Sequence, residues 1–161
     1  MEIPHETKHL LDKHHFAILS TQDTKNIIHT SAKGVIEVNP NGKIFVLDLY
    51  KGKTYRNLKR NPNVTLTVID EHRYKGYSIE GKAKIIKEDS VPKKTLDIWH
   101  ERLANRIAKR VIRHVKEEEH SGKGIPEARF PFPKYVIEIF VNRVIDLAPH
   151  KLRTKKCKRR I

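Results

Sequence analysis

The sequence predicts a mainly β fold with α elements: six short strands in a small antiparallel barrel, a short helix inserted between strands, and one long outer helix. Three observations predict it. Apolar and polar residues alternate over short segments between residues 16 and 86. The links between those segments are too short for parallel crossovers, which leaves a meander. Beyond Ser90 the apolar period changes to three and four and holds along one stretch.

The elements follow in order. Glu6 to His15 carries Leu10 and Leu11 among polar residues and reads as a short amphipathic helix. His5 and His9 stand one helical turn apart, but no carboxylate or Cys partner completes a metal pattern, so surface histidines are expected and no metal site is assigned. Phe16 to Thr21 has strand length, and Gln22 to Asn26 is a polar turn. Ile27 to Val38 is a long β segment. Asn39-Pro40-Asn41-Gly42 is a hairpin turn in which Pro fixes φ and Asn-Gly supplies positive φ. Lys43 to Tyr50 returns as a strand. Lys53 to Asn61 is a short helix that Pro62 ends.

Val64 to Ile69 alternates again, Glu71 to Gly76 is a loop, and Tyr77 to Ile86 is the next strand. Gly81 inside that strand marks a bulge or a close backbone approach. Ser90 is a candidate cap, with Pro92 in the first turn, for a helix from about Val91 to about Glu118. Leu96, Trp99, Leu103, Ile107, Val111 and Val115 form its apolar stripe. Arg102, Arg106, Lys109, Arg110 and Arg113 form a basic back, read as solvated. His120 to Phe132 is loop-like, and Tyr135 to Val141, extended toward Leu147, is the sixth strand.

The 161 residues suit one domain over residues 1–150, followed by a basic tail over 151–161. The net charge of +15 raises nucleic acid as a partner, yet seven of the thirty-four basic residues fall in that tail. No recognition-helix or stacking-aromatic pattern accompanies the charge, so a nucleic-acid-binding module ranks last among the readings. The single Cys157 excludes an internal disulfide or a Cys-based metal cluster. No apolar run approaches the roughly 20 residues that span a bilayer, and no apolar leader precedes the fold, so a cytoplasmic protein is expected.

The stretch that organises the chain is the turn Gly52-Lys53-Thr54 between two strands. A helix start offers unpaired N–H groups and the positive end of a dipole, and Lys53 and Thr54 add a cation and a hydroxyl. That combination holds a phosphate. Asn57 stands one turn further on. On the strand before the hairpin, alternation puts His29, Ser31 and Lys33 on one face and Thr30 on the other. Lys33 either pairs with the phosphate or faces solvent.

These residues resemble a known family, the FMN-binding split-barrel proteins related to pyridoxamine 5'-phosphate oxidase. The resemblance rests on His29-Thr30-Ser31, on Lys53-Thr54 followed by Asn57-Leu58 and Asn61-Pro62-Asn63-Val64, and on Gly76 to Ala83. It implies a six-stranded antiparallel split barrel and a homodimer with FMN at the subunit interface. It also implies Lys53 and Thr54 as phosphate ligands, with Asn57, His29, Thr30, Ser31 and Lys33 near the cofactor. Asp48, Leu49 and Tyr50 would meet the ring through backbone groups, and Trp99, Phe130 or Phe132 would reach the partner's flavin. The arginine-rich pattern of true pyridoxamine-phosphate oxidases is missing from the early strand and from the C-terminal region, so vitamin B6 oxidation is not implied. No acid/base pair or nucleophile stands out, and catalytic residues are left unassigned. The expected function is an FMN-binding flavoprotein, an oxidoreductase of unassigned substrate. The alternative is the same barrel binding the deazaflavin F420 or haem, with His114, His120 and His150 as histidines for the latter.

Overall fold

The structure, a computed structural model, describes residues 1–116, 131, 133 and 135–149. Phe130, Phe132, His120, His150, the tail over 151–161 and the side chain of His114 lie outside the described residues.

Six strands close into one antiparallel barrel in the order β1-β2-β3-β6-β5-β4. They are β1 (Phe16–Gln22), β2 (Ile28–Asn39), β3 (Lys43–Leu47), β4 (Asn63–Asp70), β5 (Lys75–Lys87) and β6 (Tyr135–Asp146). The helices are α1 (His5–His14), α2 (Lys53–Arg60) and α3 (Lys93–Lys116). The six-stranded antiparallel barrel, the short helix between strands and the long outer helix all stand as the sequence predicts.

Alternation sets the interior. Ala17, Leu19, Val35, Ile44, Val46, Leu66, Val68, Ile79, Ile137 and Ile139 bury one continuous core. Each Val, Leu or Ile side chain among them taken from water contributes about 1.5–3 kcal/mol, and closure leaves no edge strand unpaired. Helices stop both ends. α1 brings Leu10 and Leu11 into the core near Asp70, where Lys13 Nζ lies 3.1 Å from Asp70 Oδ2. α2 brings Leu58 in at the end marked by Thr21 and Gln22, where Arg60 donates to the Gln22 carbonyl at 2.9 Å.

α3 packs outside. Trp99 and Val91 cover Ile36, Phe45 and Val136, with Leu96 and Leu103 at the margin. Its apolar stripe outruns the surface beneath it, because Val111 is 41% exposed and Ile112 is 54% exposed. The helix begins after Pro92, whose carbonyl accepts from Thr95 and Leu96. Ser90 instead sits in a preceding 3-10 turn.

Two glycines behave as their spacing predicts. Gly42 takes φ +89° in the β2–β3 turn. Gly81 sits at the point where the β5–β6 register shifts, and a Cβ there would come 2.3 Å from the Phe140 carbonyl oxygen. Only glycine permits that approach.

Candidate functional site

The site is built where α2 meets β1 and β2. Strand β3 ends at Leu47, earlier than the Tyr50 expected from sequence, so Asp48, Leu49 and Tyr50 form the descent into α2. Gly52 caps the helix without a side-chain cap, and the first helical bond runs from Arg56 N to Gly52 O at 3.2 Å. The N–H groups of Lys53, Thr54 and Tyr55 therefore stand ahead of the helical ladder. No acidic residue occupies the first turn.

Thr54 and Asn57 point inward and are buried. Thr54 Oγ1 and Ser31 Oγ lie 3.0 Å apart. Either hydroxyl can donate, and the one that accepts keeps its own proton for a further acceptor. Asn57 Nδ2 donates to Thr21 Oγ1 at 3.0 Å, and Thr21 Oγ1 donates to the His29 carbonyl at 3.4 Å. Those bonds lock the face of α2 to β1 and β2.

Lys53 stays half exposed, with Nζ 3.4 Å from Asp23 Oδ2 in the β1–β2 turn. The backbone N–H of Ile27, then that of Lys25, and the Lys53 ammonium hold the Asp23 carboxyl below its ordinary range. Solvent screens so open a pair, and a better anion can displace the carboxylate.

β2 keeps its predicted alternation. His29 and Ser31 are half-buried and the Lys33 side chain lies deeper, while Thr30 is exposed. Lys33 does not face solvent. Its Nζ lies 2.7 Å from Asp48 Oδ1, and the two side chains are 11% and 5% exposed. Asp48 Oδ2 accepts from the Tyr135 hydroxyl, which also lies 3.3 Å from the Tyr50 carbonyl oxygen. The Asp48 carboxylate thus ties β2 to β6. Burial first, then the hydrogen bond to Asp48, push the Tyr135 phenol far above its usual range. Tyr55 of α2 meets the Tyr135 ring edge-on at 4.9 Å between centroids. Tyr50 is 63% exposed, and Leu49 packs partly against the α3 cluster. Trp99 of α3 is buried against Ile36, Phe45 and Val136.

Sequence reasoning missed two participants, Asp23 and Tyr135. Asp23 had a local signal, since an Asp opening a tight turn bonds the backbone two residues on, here Lys25 N at 2.9 Å. Tyr135 had none beyond being a polar-tipped residue in an apolar run. Among the described residues no cluster of three or more His, Cys, Asp or Glu could hold a metal ion. No described helix is long and apolar enough to cross a membrane.

A closed six-stranded antiparallel barrel with a donor-rich helix start between β3 and β4 defines a class of small split-barrel proteins. The chain belongs to the pyridoxamine 5'-phosphate oxidase family, whose family model matches residues 3–139. Solved structures share the fold. HupZ of Group A Streptococcus is 21% identical with TM-score 0.60, covering 90% of this chain and 94% of that one. An F420 reductase is 17% identical with TM-score 0.57, covering 89% and 98%. HutZ, the haem storage protein of Vibrio cholerae, is 16% identical with TM-score 0.53, covering 90% and 94%. A search of curated proteins returned no match.

Proposed function

We propose that the chain is an FMN-binding flavoprotein of this family, an oxidoreductase that works as a homodimer with cofactor at the subunit interface. The observation that carries the reading is the donor set at the start of α2. Three backbone N–H groups ahead of the helical ladder, the half-exposed Lys53 and the Ser31–Thr54 hydroxyl pair meet with no acid in the first turn. That set fits a phosphate dianion.

In this reading Lys53 exchanges Asp23 for the phosphate, and the hydroxyl pair supplies its free proton. Thr21 and Asn57 hold α2 against the strands so that its N–H groups stay aimed. Lys33, closed on Asp48, shapes the wall of the site and does not reach the phosphate. FMN, when bound, carries the redox chemistry, and the protein sets position and access. The homodimer draws support from apolar side chains left on the outer face of β1 and β2, where Phe16 and Ile18 are exposed next to each other and Ile28, paired with Gln22, is exposed at the far end of that face.

The fold of the F420 reductase and of the haem storage protein favours a second reading, in which the same barrel takes a deazaflavin or haem. The absorption spectrum of the protein as isolated separates the three. Flavin bands support the proposal. A deazaflavin band or a haem Soret band overturns it in favour of the second.

A further inference from the structure

The basic face of α3 reads from sequence as a solvated back, but the fold turns part of it over the junction of α1 and β1. A cleft of about 350 Å³ is lined there by His15, Arg102, Asn105, Arg106, Lys109 and Arg110. The lining holds four permanent cations, one amide and no carboxylate. The cleft continues into an apolar hollow of about 60 Å³, again bordered by His15, Arg102 and Arg106, whose walls include Leu47, Trp99 and Leu103.

Three details make this more than a charged ridge. Arg102 is fixed, donating to the Val35 carbonyl at 2.7 Å. His15 is fixed too, in a left-handed conformation at φ 52° that caps α1, with its N–H on the Leu11 carbonyl at 2.9 Å. Its Nδ1 is buried and finds no hydrogen-bond partner among the described residues. A buried polar atom left unmatched beside converging cations calls for a ligand or a water. Among the described residues, the carboxylates whose charge reaches Arg102 are Asp12, Glu101 and Glu37, and none of them lines the cleft. Asp12 sits 2.5 Å from Lys8 Nζ, and Glu37 accepts from Thr95 Oγ1 at 3.0 Å.

We propose that this cleft binds a small amphiphilic oxyanion, with its charged head among Arg106, Lys109 and Arg110 and a short apolar end in the hollow beside Trp99. Guanidinium forks match planar or tetrahedral oxyanions, and the apolar hollow is too small for a long acyl chain. No residue of α2 lines the cleft or the hollow. Convergence into a recess favours a small anion over nucleic acid, which would be met by a spread of cations along a ridge.

Trp99 is the only tryptophan in the chain and borders the hollow, so its emission reports on the site. Titration of the full chain with butyrate and with butyl phosphate distinguishes the two head groups, with acetate and inorganic phosphate as controls lacking the apolar end. The expected result is a saturable change in emission for at least one butyl probe, at lower concentration than its control. The double substitution Arg106→Ala/Lys109→Ala, on the exposed side of α3, weakens that response by about tenfold or more, as loss of charged hydrogen bonds implies. Lys53→Ala leaves the response in place. The proposal is overturned if no butyl probe gives a saturable change, or if the double variant binds as the parent does. It is also overturned if the response disappears in Lys53→Ala, or if duplex DNA alone produces it and butyl phosphate does not compete.

Discussion

Lys33 of β2 and Asp48 beyond β3 form an ion pair at 2.7 Å with both side chains about nine-tenths buried. The β2–β3 register makes it, because Gly34 pairs with Leu47 and sets the two residues just beyond on adjoining strands. Tyr135 of β6 joins the same carboxylate, so three strands and the approach to α2 are tied at one point.

Removing one partner strands a buried charge. Lys33→Met is expected to destabilise the protein by about 3–5 kcal/mol. The paired change Lys33→Met/Asp48→Leu is expected to recover most of that loss, since an apolar pair of similar volume avoids the desolvation. Urea unfolding of the two single variants and the double one measures the coupling. A loss in the double variant equal to the sum of the two single losses would show that the pair does not act as a unit.

Tyr135→Phe removes a hydrogen bond to a charged acceptor, and a loss of about 1.5–3 kcal/mol is expected. The sign of the pH effect follows from the raised phenol. In the unfolded chain this tyrosine ionises near pH 10, while in the folded chain it stays protonated. Its contribution is therefore complete below about pH 10 and declines as pH rises above that. An ultraviolet titration of the native protein should leave Tyr135 un-ionised until the fold opens, and the alkaline loss of stability should be shallower in Tyr135→Phe.

Asp70 works on the acid side. The hydrogen bond and charge of Lys13, then the Arg73 backbone N–H and His14, hold its carboxyl below the ordinary range. A depressed carboxyl contributes stability above its unfolded pKa of about 3.9 and loses it as pH falls through the folded value. Asp70→Asn should flatten the acid limb of a stability–pH curve below about pH 5. Hydrogen exchange should show the Lys13–His14 end of α1 opening first in that variant.

The meander was legible because alternation and short turns are local signals, and Gly42 and Gly81 stand where their positions implied. The early end of β3 was not legible: Asp48, Leu49 and Tyr50 continue an apolar strand pattern, and only the demand of Asp48 for Lys33 and Tyr135 turns the chain away. The α2 turn was legible as a helix start between strands from Gly52, Lys53 and Thr54. The closure of Lys33 was not, since it depends on a cross-strand register that no single segment encodes. The stripe on α3 reads the same at Trp99 and at Val111, and only the extent of the barrel beneath decides that one is buried and the other exposed.

The account rests most directly on the start of α2 as the phosphate-binding end of a flavin site. Riboflavin differs from FMN only by lacking that phosphate, so the affinity ratio of the two ligands isolates its contribution. The expected result is a clear preference for FMN in the parent protein that falls by about tenfold or more in Lys53→Ala, while riboflavin binding barely changes. An FMN-to-riboflavin ratio unchanged by Lys53→Ala would contradict the account.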